Sequence, residues 1–175
     1  MYYKSLRIEL PERISYLGPE GSFTHQAAES NFGSQAKYLS LNSIKSVFKS
    51  VESKKSKYGI IPLENNQEGI VQETIDLLGV SNLQIISELP LSISFSFATR
   101  AKDIKNINTI YSKDIAFKQC NNFIENYFSE DIKCIPVNST SAAVKYADKK
   151  EGAAAICSRF AAVQQGVPIL FDKIE

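Results

Sequence analysis

Three short polar stretches carry the side chains best suited to gripping a small anion. They are Gly18-Pro19-Glu20-Gly21-Ser22-Phe23-Thr24, Glu64-Asn65-Asn66-Gln67-Glu68-Gly69 and Asn138-Ser139-Thr140-Ser141. Each lies between a β-like run and the expected start of a helix. The first N–H groups of a helix lack intrahelical acceptors and attract anions. Hydroxyl and amide side chains beside them add directional donors. For any one stretch, capping its own helix is a sufficient structural explanation; the three together point to a ligand. His25, the only histidine, falls in the first turn of the first expected helix, where a structural or solvated role is the ordinary reading. Glu64 and Glu68 are four apart, which is thin support for paired-carboxylate chemistry. Cys157-Ser158-Arg159 offers a guanidinium, with packing and surface roles as the plainer account. No zinc-ligand spacing occurs, and Gly18-Pro19-Glu20-Gly21 lacks the lysine and spacing of a phosphate loop. No metal or cofactor is expected.

Alternating strand and helix signals position these stretches. Residues 14–17 read as a strand, and a helix follows from Ser22 or Thr24 to Gly33. Ser43 caps a helix with Ile44, Val47, Phe48 and Val51 on one face, and residues 58–61 form a strand ended by Pro62. Residues 63–69 read as a polar loop, 70–78 as a helix stopped by Gly79, and 83–86 as a strand. From Leu91 to Phe97 the pattern alternates: Leu91, Ile93, Phe95 and Phe97 face one way, Ser92, Ser94 and Ser96 the other. Strands at 109–112, 134–137, 153–157 and 167–171 then alternate with helices at 116–128, after Ser141, and at 159–165. This order argues for largely parallel α/β sheets. Pro90 and the change of pattern after it suggest a crossing into a second lobe.

Composition narrows the function classes. The formal net charge is +1, and Lys54-Lys55-Ser56-Lys57 is the main basic run, read as a solvated helix end. Nucleic acid is not an expected partner. The three cysteines are too far apart in sequence for a metal or redox pair, and no apolar run long enough for a membrane span is present. The expected compartment is the cytoplasm, with no membrane partner.

Taken together, these segments resemble the prephenate dehydratase domain family. Tyr16-Leu17-Gly18-Pro19-Glu20-Gly21-Ser22-Phe23-Thr24 is similar to its opening signature. Gly59-Ile60-Ile61-Pro62-Leu63-Glu64-Asn65-Asn66, with Glu68, Gly69, Val71, Thr74, Asp76, Leu77 and Leu78, resembles a second, although the family usually has Glu-Asn-Ser where Glu64-Asn65-Asn66 stands. Ser112, Ala116, Gln119 and Cys120 fit a third, and Asn138 to Ala143 with the segment from Ala153 onward fits the last. The resemblance implies an α/β, two-lobed fold like that of type 2 periplasmic binding proteins, with mixed, mostly parallel sheets and flanking helices. Residues 1–13 would be a lead-in, 14–90 plus 166–175 one lobe, and 91–165 the other, with the cleft between them.

The implied reaction converts prephenate to phenylpyruvate, water and carbon dioxide in phenylalanine biosynthesis, by a homodimer without cofactor. The expected substrate-binding residues are Asn65, Asn66, Thr140, Ser141, Ser22, Thr24 and Lys113. The catalytic residue is left unassigned, because the family's Asn-x-Thr-Arg-Phe segment, which implies a catalytic threonine, has no counterpart up to Glu175. Thr99-Arg100 lies too early to replace it. Where the family has Ser-His-Pro, this chain reads Ser112-Lys113-Asp114, and a family histidine after Leu91 is replaced near Ser94. Two expectations result: a dehydratase represented by a truncated or inactive form, or a non-catalytic module that binds a small anion or aromatic metabolite.

Overall fold

The computed structural model describes residues 12–65 and 69–175. The lead-in lies almost wholly outside them, as do Asn66 and Glu68.

Two α/β units are built on one plan. In the first, β1 (Arg13–Leu17), α1 (Phe23–Phe32), β2 (Lys37–Leu41), α2 (Ile44–Glu52) and β3 (Tyr58–Ile60) form a parallel sheet of order β2-β1-β3. Local chemistry sets these elements. Ser22 and Ser43 have extended backbones, and their hydroxyls accept the N–H of His25 and of Ser46 at 3.2 Å, capping α1 and α2. Ile44, Val47 and Phe48 bury the expected face of α2, while Ile14 and Tyr16 are buried on β1. Gly59 is required where β3 meets α2: a Cβ there would stand 2.8 Å from Val47 Cγ1. A hydroxyl chain from Ser15 to Ser56 (2.8 Å) to Ser50 (3.0 Å) lies inside this unit, and its members satisfy one another.

A two-stranded ribbon, β4 (Glu64–Asn65) with β5 (Gly69–Ile70), and helix α3 (Gln72–Val80) come next. Within the polar loop expected at 63–69, Glu64 and Asn65 thus pair with Ile70 and Gly69 as a short antiparallel ribbon. The helix starts later than expected and runs through Gly79, where nothing lies within 4 Å of a Cβ position. Thr74 anchors α3 by donating to Pro62 O at 2.7 Å.

The second unit contains β6 (Ser96–Thr99), β7 (Thr109–Ser112), α4 (Asp114–Gln119), α5 (Asn121–Tyr127), β8 (Lys133–Pro136), α6 (Thr140–Lys149), β9 (Ala153–Cys157), α7 (Arg159–Gln164) and β10 (Ile169–Asp172). Its sheet order is β10-β6-β9-β7-β8, with β7, β8 and β9 parallel and β6 and β10 antiparallel to their neighbours. Residues on β9 alternate between two cores. Ala154 and Ile156 join Phe95, Phe97, Ile110, Phe123 and Ile124; Ala153, Ala155 and Cys157 join Ala143, Val144, Ala147, Ala161 and Ala162. A strand buried on both faces reads as a continuous apolar run, as Ala153–Cys157 does.

Four further expectations change. The strand over 91–97 is realised only from Ser96, and 83–86 is irregular, with Ile85 and Ile86 61% and 70% exposed. A strand needs a neighbour, and of these two segments only the end that forms β6 gains any, namely β9 and β10. The helix expected over 116–128 is broken at Cys120, which sits fully buried in the aromatic core. The C-terminal strand does not join the first sheet: β10 pairs with β6, Thr99 N donates to Pro168 O at 2.9 Å, and Ser96 Oγ donates to Asp172 at 2.5 Å.

Candidate functional site

In each unit the polar stretches leave the carboxyl ends of parallel strands. Residues 18–24 follow β1 and Asn65 follows β3; Lys113 follows β7, Asn138 to Ser141 follow β8, and Ser158 follows β9. Ligands of open α/β sheets gather at this end. The two ends meet at Gly21. Its backbone has φ +80°, and a Cβ built on it would stand 3.0 Å from Ser141 Cβ and 3.5 Å from Ala161 Cβ. Glycine is needed there twice, for the left-handed backbone and for the close approach.

At the β1–α1 turn, Ser22 and Thr24 turn inward. Both hydroxyls donate to Leu17 O, Ser22 at 3.1 Å, and they stand 2.9 Å from each other. These bonds brace the loop across its own base. At the start of α6, Ser139 has an extended backbone and its hydroxyl accepts Ala142 N at 3.0 Å. The N–H groups of Thr140 and Ser141 are then the leading donors of a ten-residue helix. Thr140 is 8% exposed and Ser141 1%, so Thr140 keeps the more open position. Gln165, just past α7, donates to Ser141 O at 3.0 Å and ties the α6 entrance to the α7 exit.

Asn65 is exposed on the ribbon opposite Gly69. Lys113 is exposed at the entrance of α4, whose first turn carries Asp114. Glu64 is exposed on β4. Arg159 is committed to Asp172 by an ion pair at 2.8 Å. Hydrogen bonds from Ser96 and then from Arg159 hold the Asp172 carboxyl below its ordinary pKa. The buried thiols of Cys120 and Cys157 are pushed up to about 12 by desolvation, which leaves them un-ionised and poor nucleophiles. No group of three metal-ligating side chains occurs among the described residues, and no helix among them is long and apolar enough to cross a membrane.

Sequence reasoning passed over Gly21, Gln165 and the surroundings of His25. The glycine's spacing in Gly18-Pro19-Glu20-Gly21 was visible. Its contact with Ser141, 120 positions later, was not.

Comparison with known proteins identifies the family. The prephenate dehydratase family model matches residues 14–175. The chain belongs to the prephenate dehydratase family. Curated family relatives include two bifunctional chorismate mutase/prephenate dehydratases. That of Aquifex aeolicus is 35% identical over 170 residues, which cover 97% of this chain and 47% of the relative. That of Neisseria gonorrhoeae is 34% identical over 172 residues, covering 97% and 48%. The chain thus spans about half the length of these relatives. Among solved structures, it resembles the prephenate dehydratase of Arthrobacter aurescens in complex with L-Phe (TM-score 0.81, 26% identity, 93% of this chain and 55% of that one). It also resembles the prephenate dehydratase of Staphylococcus aureus Mu50 (TM-score 0.78, 26% identity, 93% and 61%). The two-lobed α/β class expected from the sequence is the fold of this family.

Proposed function

We propose that this chain forms the prephenate-holding part of a prephenate dehydratase, with the substrate between the carboxyl ends of the two parallel sheets. The observation that carries this reading is the approach of Gly21 to Ser141, which brings two anion-suited junctions face to face. Thr140, with the leading N–H groups of α6, takes one substrate carboxylate. Asn65 and Lys113 contribute from the ribbon and the α4 entrance; Asn66, expected to join them, lies outside the described residues. Ser22 and Thr24 shape the loop. The two lobes on either side of this cleft are residues 14–90 and the remainder of the second sheet.

The chemistry suits a plain polar site. The ring carboxylate leaves as carbon dioxide, its bonding electrons enter the ring, and the ring hydroxyl departs with one added proton as water. Aromatisation drives the step. The protein's part is to orient the substrate and to place donors where charge builds on the departing oxygen. As the family resemblance implies, the enzyme works as a cytoplasmic homodimer.

The test is ultraviolet detection of phenylpyruvate from prephenate, together with titration of prephenate into the wild type and Asn65→Ala. Turnover, or saturable binding that Asn65→Ala weakens by about tenfold (~1.4 kcal/mol), supports the reading. Saturable binding of phenylpyruvate or an aromatic amino acid without turnover would favour a non-catalytic module. Absence of both binding and turnover rejects the site.

A further inference from the structure

His25 is buried at 3% exposure and lies in contact with both units. Its ring stacks on Tyr16 of β1 (centroids 4.5 Å apart, planes 4° apart). Tyr38 of β2 and Phe160 of α7 meet it edge-on at 5.7 and 5.2 Å. Nδ1 accepts the N–H of Gly21 at 3.0 Å. The neutral ring must then carry its proton on Nε2, which stands 3.6 Å from Glu29 Oε1. Glu29 also accepts from Gln164 of α7 at 3.3 Å. One imidazole therefore holds the loop residue that touches Ser141, while α7 presses on it from the second unit.

We propose that His25 is a positioning residue: as an acceptor it fixes Gly21 against the first turn of α6, and protonation of the ring releases that loop and weakens ligand binding. The loop half of this inference stands on the geometry alone; the ligand half rests on the proposed function. A proton on Nδ1 would face the Gly21 N–H donor to donor. The groups facing the ring are Tyr16 from β1, Tyr38 from β2, Glu29 from α1 and Glu20 from the loop; α7 presents the uncharged Phe160. Burial pushes the imidazole below its ordinary value of 6.5, and the carboxylates of Glu29 and Glu20 only partly offset this. The bond therefore holds at neutral pH. Because the unfolded chain takes up the proton first, the fold loses stability as pH falls from about 6.5 through the lower folded value.

Amide hydrogen exchange on the whole chain tests the loop half directly. Between about pH 7.5 and the acid side of the ring's titration, followed by its own NMR signals, the protection factor of Gly21 should fall by about tenfold or more. Amides of β9 should keep theirs. His25→Asn places an amide oxygen near the former Nδ1 and should hold Gly21 at both pH values; His25→Phe should leave it unprotected at both. Unchanged Gly21 protection while the wild-type ring protonates overturns the inference, with no variant needed. An equal pH step in His25→Asn overturns it too. The ligand half uses phenylpyruvate as the probe: its Kd should rise about fivefold or more as the loop releases, and a Kd that stays flat overturns that half. Failure of the wild type to bind phenylpyruvate near neutral pH would instead count against the proposed function, and the exchange data would still decide the role of His25 in the loop.

Discussion

The two α/β units share a plan and differ in how their sheets are finished. Order β2-β1-β3 in the first matches order β8-β7-β9 in the second. In the second unit β6 lies antiparallel on the far side of β9, and β10 on the far side of β6. In the first, β3 pairs only with β1 among the described strands. The segment 81–95 that follows α3 is irregular, and Ile85 and Ile86 stand exposed. The interiors differ as well. Phe97 of the second unit is fully buried among Phe123, Phe128 and Phe171 at 5.3–6.4 Å, whereas the first keeps the Ser15–Ser56–Ser50 hydroxyl chain inside it. Strand-forming residues become a strand only where a partner edge receives them. The second unit supplies partners for its own added strands, β6 and β10, and both units contribute loops to the candidate site.

The largest test of this contrast is Phe97→Ala. It should cost about 3–5 kcal/mol in denaturant unfolding and exceed the loss from Ile14→Ala in β1, for which large-to-small changes run about 2–5 kcal/mol. Equal losses would show that the two interiors are packed alike. Gly59→Ala should follow at about 1–3 kcal/mol, because its Cβ would press on Val47 and Val51, at 2.8 and 3.0 Å. A neutral outcome would mean that α2 yields easily. Ser56→Ala should cost about 1–2 kcal/mol, since it leaves the buried Ser15 and Ser50 with fewer partners. The smallest effect belongs to Asp172, whose exposed carboxyl is held down in pKa by Ser96 and Arg159. Its contribution is complete above the ordinary value of 3.8 and is lost as pH falls through the lower folded value, so Asp172→Asn should flatten only the acid end of the stability curve.

Much of the fold was legible because its signals are local. Ser22, Ser43 and Ser139 announce three helices by cap chemistry, and the continuous apolar run Ala153–Cys157 announces a strand buried on both faces. Residues 37–41 gave no such signal: β2 is a half-buried edge strand whose Lys37 and Ser40 interrupt its apolar positions. The strands expected at 83–86 and 91–95 failed for the opposite reason. Their residues favour β structure, but pairing depends on distant chain. The same division runs through the site. The Gly18–Thr24 and Asn138–Ser141 stretches stood out by composition, and the donors at the start of α6 followed from the cap. The Gly21–Ser141 contact, the Gln165 tie and the enclosure of His25 by β1, β2 and α7 join residues far apart in sequence, and no local pattern encodes them.

Calorimetric titration of prephenate into the wild type and into Thr140→Val tests the placement of the ligand most directly. That substitution keeps the shape and the backbone of α6 but removes one hydroxyl. The expected result is a single saturable site in the wild type, with affinity about tenfold weaker (~1.4 kcal/mol) in Thr140→Val at unchanged stability. Equal affinities for the two proteins would contradict a site at the α6 entrance.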